Sequence, residues 1–168
     1  MKQTASKFTL TPPPADGGQR HVLHPGDVVC AERGERLETL LGSCVAIVLT
    51  DPRRTIAAMC HIVHSKPATA GATVSAAYAD VALDRMYTLL RARGIEPRLC
   101  EAYVVGGGNM FPALFAQGHV GDDNAQWALD TLTHDGVAVL FHDLGGNTYR
   151  RLSWVVGPDL PQVTAVAV

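Results

Sequence analysis

The sequence predicts a single α/β or α+β domain in which a mixed β-sheet is partly covered by two helices. Two observations carry this. Short apolar runs punctuated by glycine recur along the 168 residues, and two longer segments switch to helical spacing between them. A third, compositional, observation bounds the class. With 47% hydrophobic and 18% charged residues the chain is too apolar for a disordered protein and long enough to bury a core.

The elements follow in order. The opening "MKQTASKFTLTPPPADGGQR" is rich in Pro and Gly and has no apolar h-region, so residues 1–25 are expected to be a flexible lead-in rather than a secretory signal. Residues 26–168 form the domain. Strands are expected near 27–32, 36–41, 44–50 and 55–63, with "TDPRRT" at 50–55 as the turn between the last two. Residues 65–73, "SKPATAGAT", are small and polar and suit an exposed site rim. From 74 to 93 the period becomes helical, with Ala82, Met86 and Leu89 among the apolar positions and Gly94 as C-cap. "RLCEAYVVGG" at 98–107 reads as a strand, 121–135 as a second helix ended by Gly136, and two further strands flank the glycine turn at 145–146.

Charge and cysteine usage exclude several function classes. A net charge of −2 gives no basic surface for nucleic acid or an anionic membrane, and no apolar run is long enough for a membrane span. Four cysteines, Cys30, Cys44, Cys60 and Cys100, are widely spaced without a CxxC pair, so free thiols in a reducing cytoplasm are expected.

Cys44 stands apart from the other three. It follows Gly42 and Ser43 at the mouth of an apolar run, where backbone amides are free to form an oxyanion site, whereas Cys30, Cys60 and Cys100 sit inside apolar runs and read as core. If 44–50 and 55–63 form an antiparallel hairpin, the start of the first strand meets the end of the second, which brings His61 near Cys44. A histidine there can lower the thiol pKa and serve as general acid and base; His64 is an alternative base. Zinc is disfavoured because adjacent Cys60 and His61 would point to opposite strand faces, and no metal or cofactor is expected. "VVGGGNMF" at 104–111 lacks both GxGxxG and GK[ST], so its glycines read as backbone room beside the pocket. Asp143 and Arg150 read as a turn with a surface ion pair.

Taken together, "TLLGSCVAIVLTDP", "AAMCHIVHSKP", "YADVALDRMYTLL", "GGGNMF" and "DLGGNTYRR" resemble the chemoreceptor glutamine deamidase family, CheD, in order over about residues 26–156. The resemblance implies an α/β sandwich related to bacterial toxin deamidases. It implies hydrolysis of glutamine side-chain amides on the cytoplasmic domain of methyl-accepting chemoreceptors, and binding to a CheC-type phosphatase. The family's cysteine falls on Cys44, its histidine on His61 and its threonine on Thr39, which could orient the imidazole. Two departures stand out. His64 follows the imidazole, and "HVGDDN" at 119–124 replaces a family "NIGxRN" segment, losing an arginine and gaining two acids. Two other function classes fit the residues alone: another cysteine-dependent protein hydrolase, and a non-catalytic module that regulates a phosphatase.

Overall fold

The computed structural model describes residues 18–116 and 118–166. Among the described residues, nine strands and two α-helices run in the order β1 (Arg20–Leu23), β2 (Val28–Glu32), β3 (Arg36–Leu41), β4 (Val45–Thr50), β5 (Ile56–Ile62), α1 (Ala79–Ala92), β6 (Glu101–Gly106), α2 (Val120–His134), β7 (Ala138–Leu144), β8 (Tyr149–Val155) and β9 (Gln162–Val166).

The strands form two sheets. Five of them make the mixed sheet the sequence predicts, in the order β2-β5-β4-β6-β7, antiparallel throughout except for the β6–β7 pair. Both helices cover one face of it. Ala82, Leu83, Met86 and Leu90 of α1 and Ala128 and Leu132 of α2 meet Val45, Ile47, Leu49, Cys60 and Ile62 in one apolar cluster. The opposite face is covered by a four-stranded sheet, β1-β3-β8-β9, and Leu37, Leu41, Leu152 and Trp154 pack there against Ala46, Val48, Met59 and Val105. β4 is therefore buried on both faces, which is why its sequence is a continuous apolar run rather than an alternation. Burying each of its large side chains contributes about 1.5–3 kcal/mol.

Three boundaries and one missed element differ from expectation. The lead-in of 1–25 loses its last residues to the fold, because Arg20–Leu23 is a strand paired in parallel with β3; residues 1–17 lie outside the described residues. The first helix begins at Ala79 rather than 74, because His64 bridges to Tyr78 and its carbonyl accepts from the Ala79 amide. β9 completes the edge of the second sheet in a C-terminal segment whose sequence suggested no element. The strand expected from 98 starts at Glu101, after a 3-10 turn over Pro97–Leu99.

Candidate active site

The turn before β4 is clasped by the glycine segment that ends β6. Gly107 N–H donates to the Cys44 carbonyl and Gly108 N–H to the Gly42 carbonyl, each at 2.9 Å. That approach requires glycine. At Gly106, with φ of +121°, a Cβ would lie 2.1 Å from the Cys44 carbonyl oxygen. The start of α2 then closes on the same segment, and a Cβ on Gly121 would lie 2.5 Å from the Gly108 carbonyl oxygen and 2.6 Å from that of Gly107. Gly106 and Gly121 thus let a strand, a turn and a helix end converge where Cys44 sits.

Cys44 opens onto a pocket of about 440 Å³, whose wall includes Gly42, Ser43, Gly108, Asn109, Val120 and Tyr149. Among its lining residues, Phe111, Phe115 and Val120 are exposed apolar side chains. Gly42, Ser43 and Cys44 are together in this wall, as the glycine turn suggested. The 65–73 loop is exposed but lines no part of it. Hollows of similar size elsewhere, one between Gly26 and Arg85 and one between Tyr87 and Arg98, contain no cysteine or histidine in their walls.

His61 is placed by the hairpin and is not among the residues that line the pocket. The hairpin forms in the expected register, with Val45 opposite Ile62 and Ala46 opposite His61. Cys44 therefore lies one residue beyond the ladder on the side-chain face of Ala46 and His61, in the diagonal relation that long side chains can span. The imidazole is only 3% exposed and sits between the sheets. There it meets β3, and Thr39 Oγ1 is 2.8 Å from His61 Nδ1 and 2.9 Å from the Leu23 carbonyl oxygen. A carbonyl only accepts, so the single hydroxyl hydrogen of Thr39 goes to Leu23 and the hydroxyl oxygen accepts from Nδ1–H. This arrangement protonates Nδ1 and leaves the Nε2 lone pair as the basic site.

Electrostatics make the resting pair neutral. Burial lowers His61 to about 4, against a smaller opposing effect of Asp27. Burial also raises the Cys44 thiol above its ordinary value, partly offset by its own backbone N–H. The expectation that the histidine lowers the thiol pKa is therefore corrected. Burial is the dominant influence on both groups.

The remaining residues sort as follows. His64 is exposed and stacks on Tyr78 at 5.0 Å between ring centroids, away from Thr39. Cys60 and Cys100 are buried as expected, whereas Cys30 is only partly buried on β2. Cys60 lies in the helix-side cluster while His61 lies between the sheets, so the two do point to opposite faces. Arg150 is a correction. Rather than a surface partner of Asp143 it is 6% exposed, and its guanidinium also donates to the Gly106 and Gly145 carbonyls, bracing the glycine segment. Within 119–124, His119, Val120 and Gly121 line the pocket. Asn124, which the sequence reading did not single out, is 1% exposed and donates to the Ser43 and Val63 carbonyls. Its signal was a polar residue on the buried stripe Gly121, Asn124, Ala128 and Leu132 of an amphipathic helix.

Comparison with known proteins identifies the family. The family described as CheD chemotactic sensory transduction matches residues 64–157. The probable chemoreceptor glutamine deamidase CheD 2 of Albidiferax ferrireducens is 36% identical over 137 residues, covering 77% of this chain and 78% of the relative. The probable chemoreceptor glutamine deamidase CheD of Pseudomonas syringae pv. syringae is also 36% identical, over 134 residues, covering 78% and 76%. That of Methanococcus maripaludis is 30% identical over 128 residues, covering 76% and 83%. With a glycine-framed cysteine, a buried histidine and these relatives, the chain belongs to the CheD family.

Proposed function

We propose that this protein is a chemoreceptor glutamine deamidase in chemotaxis, a protein-glutamine glutaminase that converts receptor glutamines to glutamate and ammonia with Cys44 as nucleophile and His61 as general base and acid. The observation that carries the reading is the Thr39–His61 hydrogen bond of 2.8 Å, which engages Nδ1 and leaves Nε2 as the basic nitrogen. Thr39 acts through the imidazole and is a positioning residue.

Because thiol and imidazole both rest uncharged, proton transfer accompanies attack. His61 Nε2 takes the thiol proton as Cys44 Sγ bonds to the glutamine Cδ, and the carbonyl oxygen becomes an oxyanion that we assign to backbone amides of the Gly42–Ser43–Cys44 turn. The imidazolium then gives its proton to the amide nitrogen, the C–N bond breaks, and ammonia leaves a thioester on Cys44. His61 next takes a proton from water as the water oxygen attacks the thioester carbon. The C–S bond breaks, the sulfur recovers its proton, and glutamate is released.

The pocket favours a slender side chain presented by a folded partner. Gly42, Gly108, Gly118 and Gly121 leave part of its wall without bulky side chains, and Phe111, Phe115 and Val120 make its lining apolar, which suits a glutamine entering from a receptor helix that stays outside. Asparagine is one methylene shorter and holds its carbonyl carbon short of Cys44; such a misplacement costs about a hundredfold. The working site is the cytoplasm, where the signalling domain of a methyl-accepting chemoreceptor lies. A CheC-type phosphatase is the second partner we assign. No described helix is long and apolar enough to cross a membrane.

Intact-mass analysis of a receptor cytoplasmic fragment tests the reading. Incubation with the protein should add about one mass unit per converted glutamine, with matching ammonia release and none from Cys44→Ala. Cys44-dependent cleavage of the fragment would replace the deamidase with a peptidase, and an unchanged mass with retained phosphatase binding would favour a regulatory module.

A further inference from the structure

Asn124 occupies the point where the hairpin that carries Cys44 and His61 comes apart. The ladder between β4 and β5 ends at the Val45–Ile62 pair. Beyond it the strands find different partners. Val63 and His64 amides donate to the Ala77 carbonyl, and the Cys44 carbonyl accepts from Gly107. The parting leaves a carbonyl on each side, that of Ser43 immediately before the cysteine and that of Val63 two residues after the histidine. Both are reached by one group. Asn124 Nδ2 donates to Ser43 O at 3.1 Å and to Val63 O at 3.0 Å.

Both bonds draw on the amide nitrogen, while Oδ1 is buried without a hydrogen-bond partner among the described residues. A primary amide nitrogen carries two hydrogens, and here each one goes to a different strand end. Both partners are carbonyls, so the nitrogen and not the oxygen must face them. Aspartate at neutral pH has the same shape and no hydrogen to give. The side chain is 1% exposed, so water does not compete for either bond. Its backbone belongs to α2, whose first residues Val120 and Gly121 line the pocket, so the helix is referenced to both strand ends through this single amide.

We propose that Asn124 is the positioning residue that sets the spacing between Cys44 and His61, which rests on the assignment of those two residues above. It touches neither thiol nor imidazole. It bridges the two strand ends beside them, which otherwise have separate backbone partners in Gly107 and Ala77.

The test is a cycle of Asn124→Asp and His61→Ala in the full chain, read by turnover on the receptor fragment and by the rate at which iodoacetamide alkylates Cys44. Asn124→Asp should lower kcat about tenfold or more with KM within about twofold, because misplacement of reacting groups is felt in the chemical step. It should slow Cys44 alkylation by a similar factor in the parent and by less than about twofold in His61→Ala, where there is no base left to misplace. If Asn124→Asp fails to fold, Asn124→Ser, which keeps one hydrogen, carries the same comparison. A lowered Tm with unchanged kcat and alkylation would make Asn124 merely structural and overturn the proposal. So would equal slowing in both backgrounds. If His61→Ala itself changes neither readout, the assignment of His61 falls and this inference falls with it. If His61→Ala slows both and Asn124→Asp slows neither, only the inference falls.

Discussion

Thr39 and His61 meet between the two sheets through a hydrogen bond of 2.8 Å, in which the threonine hydroxyl, already donating to the Leu23 carbonyl, accepts from the imidazole Nδ1–H. The bond ties the second sheet to the chemistry of the first. It selects one tautomer of a histidine that burial keeps uncharged at neutral pH.

Replacing Thr39 by valine keeps the shape and removes both hydrogen bonds. Thr39→Val is expected to lower kcat on the order of tenfold or more, since Nδ1–H loses its acceptor and the imidazole its fixed orientation. It should also destabilise the fold by about 1–3 kcal/mol, because the Leu23 carbonyl and the imidazole nitrogen stay buried and unpaired. Thr39→Ser, which keeps the hydroxyl, should restore most of the turnover. Steady-state kinetics and urea denaturation of the two variants check this.

The burial of His61 has a consequence for acid stability. Its pKa is about 4 in the folded chain and about 6.5 unfolded, so between these values the unfolded state binds the extra proton. The stability from the neutral imidazole is fully present above pH 6.5 and declines as pH falls to 4, by about 3 kcal/mol in all. His61→Gln, which cannot titrate, should remove this part of the slope. Denaturation midpoints at pH 7 and pH 4.5 for parent and variant give the measurement; parallel slopes would show that other groups set the acid limit.

Gly121 offers a test of the wall behind Cys44. Gly121→Ala places a methyl 2.5 Å and 2.6 Å from two backbone carbonyl oxygens, which cannot move aside as a side chain would. The start of α2 must shift off the glycine segment, so both Tm and turnover should fall, turnover by about a hundredfold. Gly136→Ala, at φ of +75° with nothing within 4 Å of the new methyl, should cost only about 1 kcal/mol and leave turnover intact.

How far these contacts could be read from the chain depends on whether they are local. The Cys44–His61 relation was legible because it needs only a hairpin, its turn and the period of two along a strand. The Thr39–His61 bond was not, because β3 and β5 belong to different sheets and their meeting depends on how one sheet packs on the other. Resemblance to a family named Thr39; no spacing in the sequence did. β1 and β9 escaped notice because they are edge strands of four and five residues with little buried on them. Arg150 looked like half of a turn ion pair, since nothing in "DLGGNTYRR" says that its guanidinium folds under the β6 glycines. The resting charge state of Cys44 and His61 was also invisible, since it is set by burial rather than by the neighbouring pair.

The central claim is that a receptor glutamine is converted through a thioester on Cys44, and acid quenching during turnover tests it most directly. A receptor fragment mixed with the protein and quenched within the first turnovers should yield a conjugate whose mass is the sum of the two chains less about 17 mass units, the ammonia lost on acylation. Peptide mapping should place the linkage at Cys44, hydroxylamine should release it, and Cys44→Ala should form none. Deamidated product accumulating at the parent rate with Cys44→Ala would contradict the account.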